Sequence, residues 1–219
     1  MKREIIITAD GSTTIHLADW NENYHSKHGA IQEANHVFIN HGLSLFYGKN
    51  EISILEIGFG TGLNALLTLL YAKEKKLKVN YETIEAFPVI ISEIQNINFP
   101  EQLQVERTLF EKLHQLSWEQ THPVTEYFHL KKRKQYFDSI SDSNRFELIY
   151  FDAFGPRVQP ELWTAAIFKL MHKALKKQGV LVTYSANSNA RRALLSVGFQ
   201  VEKLPGPPGK REMLRATKV

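Results

Sequence analysis

Apolar runs of strand length alternate along this chain with amphipathic segments that have the period of a helix. The apolar runs cover residues 53–57, 79–86, 124–130, 146–151 and 180–185. The helix-period segments cover residues 62–76, 88–97, 103–118, 160–177 and 189–197. Parallel strands need crossover connections long enough to hold a helix, and this alternation is typical of α/β proteins. The pattern therefore predicts a mostly parallel sheet with helices on both faces.

The first fifty residues depart from this alternation. Residues 4–18 predict a β-hairpin, because apolar positions on both sides flank Asp10-Gly11, a strong turn signal. An apolar-periodic segment from Ile31 to Phe46 follows the hairpin. We predict that residues 1–50 form an N-terminal extension, part hairpin and part helix.

The end of the chain also departs from the alternation. Residues 199–204 and 211–217 are apolar runs around a turn rich in proline and glycine, and they predict an antiparallel strand pair. Residues 51–219 are therefore expected to form one α/β domain. Together with the extension, this domain is expected to make a single compact unit.

Composition narrows the classes of function. The 219 residues are 43% hydrophobic, enough for a sizeable core, and include no cysteine. A disulfide framework, a thiolate metal site and a cysteine nucleophile are therefore excluded. His25, His28 and His36 lack the spacing and the carboxylate neighbours of a metal site, so no metal is predicted. The apolar run at residues 5–7 is too short for a signal peptide, and no run approaches membrane length, which predicts a cytoplasmic protein with no membrane partner.

The charge balance is basic. The net charge is +4 and the pI is about 9.1, values that are compatible with a polyanionic partner. One cluster of positive charge is Lys131-Lys132-Arg133-Lys134. A second cluster lies near the C-terminus and comprises Lys203, Lys210, Arg211, Arg215 and Lys218. For both clusters the alternative interpretation is a solvated face without a partner.

A glycine-rich turn follows the first strand of the main domain, in the sequence Leu55-Glu56-Ile57-Gly58-Phe59-Gly60-Thr61-Gly62. Glycine serves where the backbone takes a positive φ or approaches a ligand closely. The turn therefore predicts a phosphate or nucleoside site, with packing alone as the alternative. Its spacing is G-x-G-x-G, unlike the G-x-G-x-x-G of dinucleotide enzymes, and an acid such as Glu56 often accompanies S-adenosylmethionine sites. Thr61 is predicted to cap the next helix.

Two acids lie at the ends of other predicted strands, where ligands of open α/β sheets bind. Glu85 comes 23 positions after Gly62, close to the ~20-residue offset at which an acid reaches ribose hydroxyls. Asp152 ends a buried apolar run, where an unpaired charge is costly. We predict that Asp152 accepts a hydrogen bond from an amine nucleophile beside a sulfonium methyl group. The alternatives are a surface carboxylate for Glu85 and a helix-capping or loop-bracing role for Asp152.

Several separated segments, taken in order, resemble one family. They are YHSKHGAIQEANHVFINHGL, LEIGFGTGLNALL, IEAFP, FDAFGPRVQPELWT, VLVTYSANSNARRALLSVGF and LPGPPGKREML. Over nearly the whole chain they resemble the MnmD-type tRNA methyltransferases, which are equivalent to the methyltransferase half of the fused enzyme MnmC. The resemblance implies a Rossmann-like class I S-adenosylmethionine-dependent fold. It also implies conversion of 5-aminomethyl(-2-thio)uridine at the tRNA wobble position to 5-methylaminomethyl(-2-thio)uridine.

The resemblance implies roles for the residues that match the family's motifs. The cofactor set is Glu56, Gly58, Phe59, Gly60, Gly62, Asn64, Glu85 and Asp152. The substrate set is Tyr24, His25, Gly29, Glu33, Phe154, Pro156, Lys210 and Arg211. Asp152 is the implied catalytic acid, Glu85 the ribose ligand and Lys210-Arg211 a basic motif near the RNA backbone. The adenine contact stays unassigned, because the family often has an acid after the strand near residue 130, whereas here residues 131–136 intervene before Asp138. The resemblance also implies that the N-terminal segment covers the site.

The implied partner is the anticodon stem-loop of tRNA, whose splayed bases can stack on aromatic side chains. Stacking candidates are Tyr24, Phe154, Trp163 and Tyr184, with core packing as the alternative, favoured for Trp163. The chain is expected to depend on upstream enzymes that form the aminomethyl group, and not to bind FAD. Two rivals remain: an aminopropyltransferase or another small-amine methyltransferase, and a catalytically silent RNA-binding module.

Overall fold

The computed structural model describes residues 2–219, so only Met1 of the predicted extension lies outside it. Within that range the main sheet has the strand order β10-β11-β9-β8-β4-β5-β7-β6. Its strands are β4 Glu51–Ile57, β5 Lys78–Ile84, β6 Thr121–Thr125, β7 Phe128–Arg133, β8 Phe146–Phe151, β9 Leu175–Thr183, β10 Phe199–Pro205 and β11 Glu212–Lys218. The five strands from β9 to β7 are parallel, while β11, β10 and β6 are antiparallel to their neighbours. The predicted α/β class and the antiparallel C-terminal pair are confirmed.

Helices cover both faces of the sheet because strands and helices alternate in the chain. They are α1 Ala30–Ala34, α2 Leu63–Lys75, α3 Ile91–Ile94, α4 Phe99–Leu103, α5 Arg107–Gln115, α6 Ala165–Ala174 and α7 Ser188–Ser196. Helices α1, α2 and α5 contribute to one buried apolar cluster, and α6 and α7 contribute to the other. No helix among residues 2–219 is long and apolar enough to cross a membrane.

The N-terminal extension contains a small antiparallel sheet followed by helical turns. Strands β1 Arg3–Ile7 and β2 Thr13–Leu17 form the predicted hairpin, and β3 Glu22–Asn23 pairs with β2. Helix α1 continues as a π-helical turn over Asn35–Asn40. The extension packs on the sheet through Ile15, Val37 and Phe38, which belong to the same cluster as α2.

Several element boundaries differ from the sequence-based expectation, each for a local reason. The helix expected at 88–97 is only the one turn of α3, and α5 begins after Gln104, whose φ of 54° interrupts a helix. The strand expected at 124–130 is a hairpin of β6 and β7, with Pro123 on the edge strand, where a missing N–H costs no ladder bond. The helix expected at 160–177 ends early because β9 already starts at Leu175.

Thr61 does not cap α2, so that prediction was wrong. The N-cap residue is Gly62, with a φ of 75° and no side-chain cap bond. The Thr61 hydroxyl instead lies 3.2 Å from Nε2 of His25 in the N-terminal extension. The hydroxyl therefore joins the glycine turn to the extension and leaves the helix end uncapped by a side chain.

The basic cluster at residues 131–134 is largely internal. Lys132 is 1% exposed and Arg133 is 9% exposed. Nη1 of Arg133 donates to Oδ2 of Asp142 at 2.7 Å and to Oε2 of Glu82 at 3.3 Å. A solvated patch for a polyanion is thus the wrong interpretation of this cluster, because half of its charge serves the interior.

Replacing Arg133 by alanine should lower the free energy of unfolding by about 3 kcal/mol, because Asp142 and Glu82 lose the more buried of their two cations. Arg145 contacts the same two acids but is 46% exposed on its side chain, so Arg145→Ala is the matched control. It should cost about 1 kcal/mol or less. Urea unfolding of both variants measures the difference, and equal losses would contradict the internal role of Arg133.

Candidate functional site

A cavity of about 1060 Å³ lies at the carboxyl ends of β4, β5 and β8, beneath the N-terminal extension. The glycine turn, Glu85 and Asp152 all line it. They meet there because the two neighbouring strands run parallel to β4 and end at the same edge. The sequence-based prediction of one site at this edge agrees with the geometry.

The glycine turn has the backbone conformation that requires glycine. Gly58 has a φ of 94°, and a Cβ there would lie 2.8 Å from the carbonyl oxygen of Asp152. Gly60 has a φ of 49°, and its Cβ would lie 3.2 Å from the Tyr24 ring. Gly58, Phe59 and Gly60 line the cavity. Their backbone is therefore within reach of a ligand that no side chain of the turn would obstruct.

Glu85 holds the glycine turn from the adjacent strand end. Its Oε2 accepts a hydrogen bond from the Gly60 amide at 3.1 Å, and its Oε1 accepts one from the Phe87 amide at 2.8 Å. The carboxylate also lines the cavity. It can accept further hydrogen bonds from a ligand's hydroxyl groups, since each carboxylate oxygen has two lone-pair sites.

Asp152 lines the cavity at the end of β8. Its Oδ2 accepts a hydrogen bond from Nδ2 of Asn64 on α2 at 2.8 Å, which fixes the orientation of the carboxylate. Burial raises the pKa of Asp152 to about 7; the bond from Asn64 opposes this rise, and the negative charge of Glu33 adds to it. A carboxyl group with this pKa can take up or release a proton near neutral pH.

Glu56 lies beneath the cavity and does not line it. It is fully buried on β4, and neither carboxylate oxygen has a hydrogen-bond partner. Burial raises its pKa well above the usual range, and Thr83 and Asn64 offset this only in part, without hydrogen bonds of good geometry. Glu56 is therefore a buried group of the interior whose side chain does not line the cavity.

The predicted substrate segment covers the cavity and is tied to the glycine turn. Nδ1 of His25 lies 2.9 Å from the Thr14 hydroxyl of β2, and its Nε2 lies 3.2 Å from the Thr61 hydroxyl. Burial lowers the pKa of His25 to about 4, so the ring is neutral at physiological pH. Tyr24 stacks edge-to-face on Phe154 with ring centroids 4.9 Å apart. The segment is thus attached to the glycine turn through the polar contact of His25 and to the loop after Asp152 through the aromatic contact of Tyr24.

Two segments far apart in sequence form one wall of the cavity, residues 25–36 and residues 205–211. Oε2 of Glu33 and Nζ of Lys210 make an ion pair at 2.6 Å. Nε2 of His36 lies 2.8 Å from the Pro205 carbonyl oxygen. Glu33 and Lys210 line the cavity, whereas Arg211 is exposed outside it. The two residues of the predicted basic motif therefore face different surroundings.

The loop after Asp152 is held from below by two aromatic residues. Nε1 of Trp163 donates to the Phe154 carbonyl at 2.7 Å, and the Tyr184 hydroxyl donates to the Ala153 carbonyl at 2.9 Å. Trp163 is 4% exposed and belongs to the core, as its alternative interpretation held. Phe154 and Tyr184 line the cavity, where the Tyr24 ring packs on Phe154 and the Lys210 ammonium lies over the Tyr184 ring.

Three other predicted site residues lie outside the cavity lining: Gly29, Gly62 and Pro156. Gly29 precedes α1 with a φ of 146°, and a Cβ there would lie 2.7 Å from Oδ2 of Asp10. Gly62 precedes α2 and faces His114. Both glycines therefore permit close packing of the elements around the site.

Sequence reasoning missed several residues that line the cavity. Phe87 and Tyr136 are 62% and 60% exposed at its edge, with ring centroids 5.8 Å apart. Asp138 lines the same region, and Arg3 of β1 reaches the cavity and pairs with Glu93 at 2.7 Å. The glycine and strand-end patterns give no signal for these side chains, because the loops and the extension bring them there.

Comparison with known proteins finds one matching family model and a set of similar sequences. A family model described as an S-adenosyl-L-methionine-dependent methyltransferase matches residues 127–219. The tRNA 5-methylaminomethyl-2-thiouridine biosynthesis bifunctional protein MnmC of Azoarcus sp. (strain BH72) is 30% identical over 208 residues, covering 88% of this chain and 32% of that protein. The MnmC of Hydrogenovibrio crunogenus is 29% identical, covering 97% of this chain and 33% of that protein. The chain resembles MnmC. It spans about a third of the length of these curated relatives.

Comparison with solved structures agrees with the sequence comparison. The crystal structure of MnmC2 from Aquifex aeolicus superposes with a TM-score of 0.82 at 27% identity, covering all of this chain and 70% of that one. Spermidine synthase from Thermotoga maritima has a TM-score of 0.61 at 15% identity, covering 95% of this chain and 69% of that one, a likeness of fold alone. The fold is the Rossmann-like fold of S-adenosylmethionine-dependent methyltransferases, as predicted, with an additional three-stranded sheet. The resemblance to MnmC stated from the motifs is confirmed, and the family model supports S-adenosylmethionine as the cofactor.

Gly58→Ala should destabilise the protein by roughly 3 kcal/mol, because the new methyl group adds a clash with the Asp152 carbonyl to the backbone strain. Gly48 is the matched control, since its φ is 88° and a Cβ there would meet nothing within 4 Å. Gly48→Ala should therefore cost only the backbone term, about 1 kcal/mol. Urea unfolding measures both variants, and similar losses would contradict the close contact of the glycine turn with Asp152.

Proposed function

We propose that this chain transfers a methyl group from S-adenosylmethionine to the amine of 5-aminomethyl(-2-thio)uridine at the wobble position of tRNA. The observation that carries the proposal is the position of Asp152, a carboxylate oriented by Asn64 that faces the same cavity as the glycine turn and Glu85. The similarity to MnmC and to MnmC2 supports this choice of substrate. The proposal covers only the methyltransferase reaction, and it depends on upstream enzymes to form the aminomethyl group.

The cavity residues fit the proposed cofactor. Gly58, Phe59 and Gly60 would lie along its methionine part, where a Cβ on Gly60 would press on Tyr24. Glu85 would bind the ribose hydroxyls while keeping the Gly60 amide in place. Bound there, S-adenosylmethionine supplies an electrophilic methyl group on a sulfonium. Glu56 would affect the cofactor only indirectly, because it helps to determine the packing of β4 beneath the cavity.

The adenine would lie at the open edge of the cavity. Phe87 and Tyr136 offer two exposed aromatic rings there, and Asp138 offers a carboxylate. Aromatic faces bind a purine by stacking, and a carboxylate accepts a hydrogen bond from its amino group. This assignment fills the position that the motif comparison left open, because the 3-10 turn Phe137–Ser139 brings Asp138 to the cavity in spite of the inserted basic residues.

Asp152 would act on the acceptor amine. The amine reacts only when neutral, and a carboxylate beside it can take the ammonium proton or hold the amine N–H so that the lone pair faces the methyl group. As the methyl carbon bonds to the nitrogen, its bond to the sulfonium sulfur would break and leave a neutral thioether, so the positive charge would pass to the nitrogen. Asp152 would stabilise that charge in its ionised form, after any proton taken from the ammonium has passed to water. Asn64 keeps the carboxylate in the required orientation.

Residues 1–50 would serve as the cover of the site and residues 51–219 as the catalytic domain. Tyr24 and Phe154 would receive the wobble base by stacking, and the anticodon stem-loop would lie against the wall formed by residues 25–36 and 205–211. Exposed Arg211 is the proposed contact to the RNA backbone. The reaction would take place in the cytoplasm, where tRNA is modified.

Purified protein should transfer labelled methyl groups from S-adenosylmethionine to tRNA that carries 5-aminomethyluridine at the wobble position. The product nucleoside, 5-methylaminomethyluridine, is identified by mass spectrometry. The same tRNA with an unmodified wobble uridine is the control, and it should accept no label because it lacks the amine.

Three results would decide against this function. Transfer to putrescine or spermidine in place of tRNA would favour a small-amine enzyme. Binding of tRNA without calorimetrically detectable binding of S-adenosylmethionine would favour a silent RNA-binding module. Equal labelling of the two tRNAs would place the methyl group elsewhere on the RNA.

The rate of methyl transfer should fall as the pH drops below about 7, since the pKa of Asp152 is about 7 in the free protein and its ionised form is the active one. Asp152→Asn should reduce kcat at least about 100-fold, because an amide cannot accept the proton. The measurement is the pH profile of kcat/KM together with single-turnover rates. A variant with unchanged turnover would remove Asp152 from the mechanism.

A further inference from the structure

One ion pair of the cavity has the chemistry of a binding site for a primary ammonium group. Nζ of Lys210 lies 2.6 Å from Oε2 of Glu33 and 4.1 Å from the centroid of the Tyr184 ring. A carboxylate and an aromatic face are the two groups that bind ammonium ions best in partly dry surroundings. The site is therefore complete, and its occupant is a side chain of the protein itself.

The ammonium site formed by Glu33 and Tyr184 lies in the same cavity as Asp152, the carboxylate that is proposed to act on the acceptor amine. Glu33, Tyr184, Lys210 and Asp152 line the same cavity. Asp152 senses the charges of both partners, since Glu33 raises its pKa and Lys210 lowers it. Glu33 is 9% exposed, so it is too buried to stay ionised cheaply without a cation next to it. Lys210 thus pairs with Glu33, in the same cavity as Asp152.

The side chain of Lys210 and the wobble nucleoside of the proposed substrate carry the same reacting group, a primary amine. Lysine ends in a methylene carbon that bears an ammonium, and the wobble nucleoside of the proposed substrate ends in the same group. We propose that Glu33 is a second carboxylate for the substrate's ammonium and that Lys210 occupies its place in the free protein. Glu33 is then a specificity-determining residue, because only a tRNA that brings its own cation can release Lys210. The inference rests on the proposed function.

Two simpler roles for Lys210 fit less well. A phosphate contact needs a free ammonium, whereas this one is held by Glu33 and Tyr184 and its side chain is only 31% exposed. A purely structural link is redundant, because the two segments of the wall are joined twice more. His36 binds the Pro205 carbonyl, and the His28 ring packs directly on Gly209. Lys210 can leave Glu33 without opening the wall.

An uncharged uridine cannot replace the lysine, so an unmodified tRNA must bind with the Glu33–Lys210 pair intact. An aminomethyl tRNA breaks that pair and forms a new one in its place. The cost of displacing Lys210 therefore lowers the preference for the modified tRNA. Removing the lysine removes that cost, while removing the charge of Glu33 removes the part of the preference that Glu33 adds to that of Asp152.

The test compares the affinity for tRNA with a 5-aminomethyl wobble uridine and for the same tRNA with an unmodified one. Both dissociation constants are measured by fluorescence anisotropy with S-adenosylhomocysteine present. Lys210→Met should raise the ratio of the two constants roughly fivefold or more. Glu33→Gln should lower the ratio several-fold, because Asp152 is then the one carboxylate left for the substrate's ammonium. Lys203→Met is the matched control, since Lys203 lies on the same hairpin and pairs with exposed Glu212 at 2.8 Å, and it should leave the ratio unchanged.

Other outcomes would overturn the inference. If Lys210→Met weakens both tRNAs equally, Lys210 contacts phosphate, and if it lowers the ratio, Lys210 assists the substrate. Should the variants fold poorly, acylation of Lys210 in the unaltered protein gives an independent measure, because aminomethyl tRNA should expose the amine more than unmodified tRNA does. Equal acylation would contradict displacement. The proposed function fails separately, by absence of methyl transfer in the unaltered protein.

Discussion

The hydrogen bonding of β4 on both sides is the constraint on which the site depends. The Gly58 amide donates to the Ile84 carbonyl at 2.9 Å, and the Asp152 amide donates to the Ile57 carbonyl at 3.0 Å. The glycine turn and both strand-end acids are thereby fixed to one edge of the sheet. Gly58 has no room for a Cβ against the Asp152 carbonyl, so the backbone of the turn packs directly on the backbone of the acid. Any ligand between them meets groups whose separation is set by backbone bonds.

The parts of the site that depend on this constraint were the parts that the sequence could predict. Strand runs end in Glu85 and Asp152, and a parallel sheet brings such ends together by topology alone. Phe87, Asp138 and Arg3 gave no such signal, because their positions follow from loop conformation and from the docking of the extension. Element ends were also unpredictable where tertiary contacts decided them, as at Leu175, where the helix pattern continues but the chain already pairs with β8.

Predictions from charge were the least reliable, because a sequence does not state which charges are neutralised inside the fold. Lys132 illustrates this. Its ammonium is buried, donates to the His114 carbonyl at 2.6 Å and lies 5.0 Å from the Trp118 ring, and burial lowers its pKa to about 8. It therefore stabilises the end of α5 beneath the glycine turn. A lysine that appeared available to a polyanion instead supports the glycine turn from inside the fold.

Pairing of positive charges within the fold also limits how strongly the protein would attract the proposed RNA substrate. In the C-terminal set, Lys203, Lys210 and Arg215 each pair with an acid, and Lys218 bonds to Asn144 and a carbonyl oxygen. Charge that is already paired releases few counterions on binding, so the sequence-independent part of the affinity should be small. For the proposed tRNA substrate, discrimination would then come from the cavity, where the substrate's ammonium would replace that of Lys210 at Glu33. Because displacing Lys210 opposes this exchange, the preference for the modified nucleoside would rest on the carboxylates Glu33 and Asp152 and not on the basic side chains of the C-terminal set.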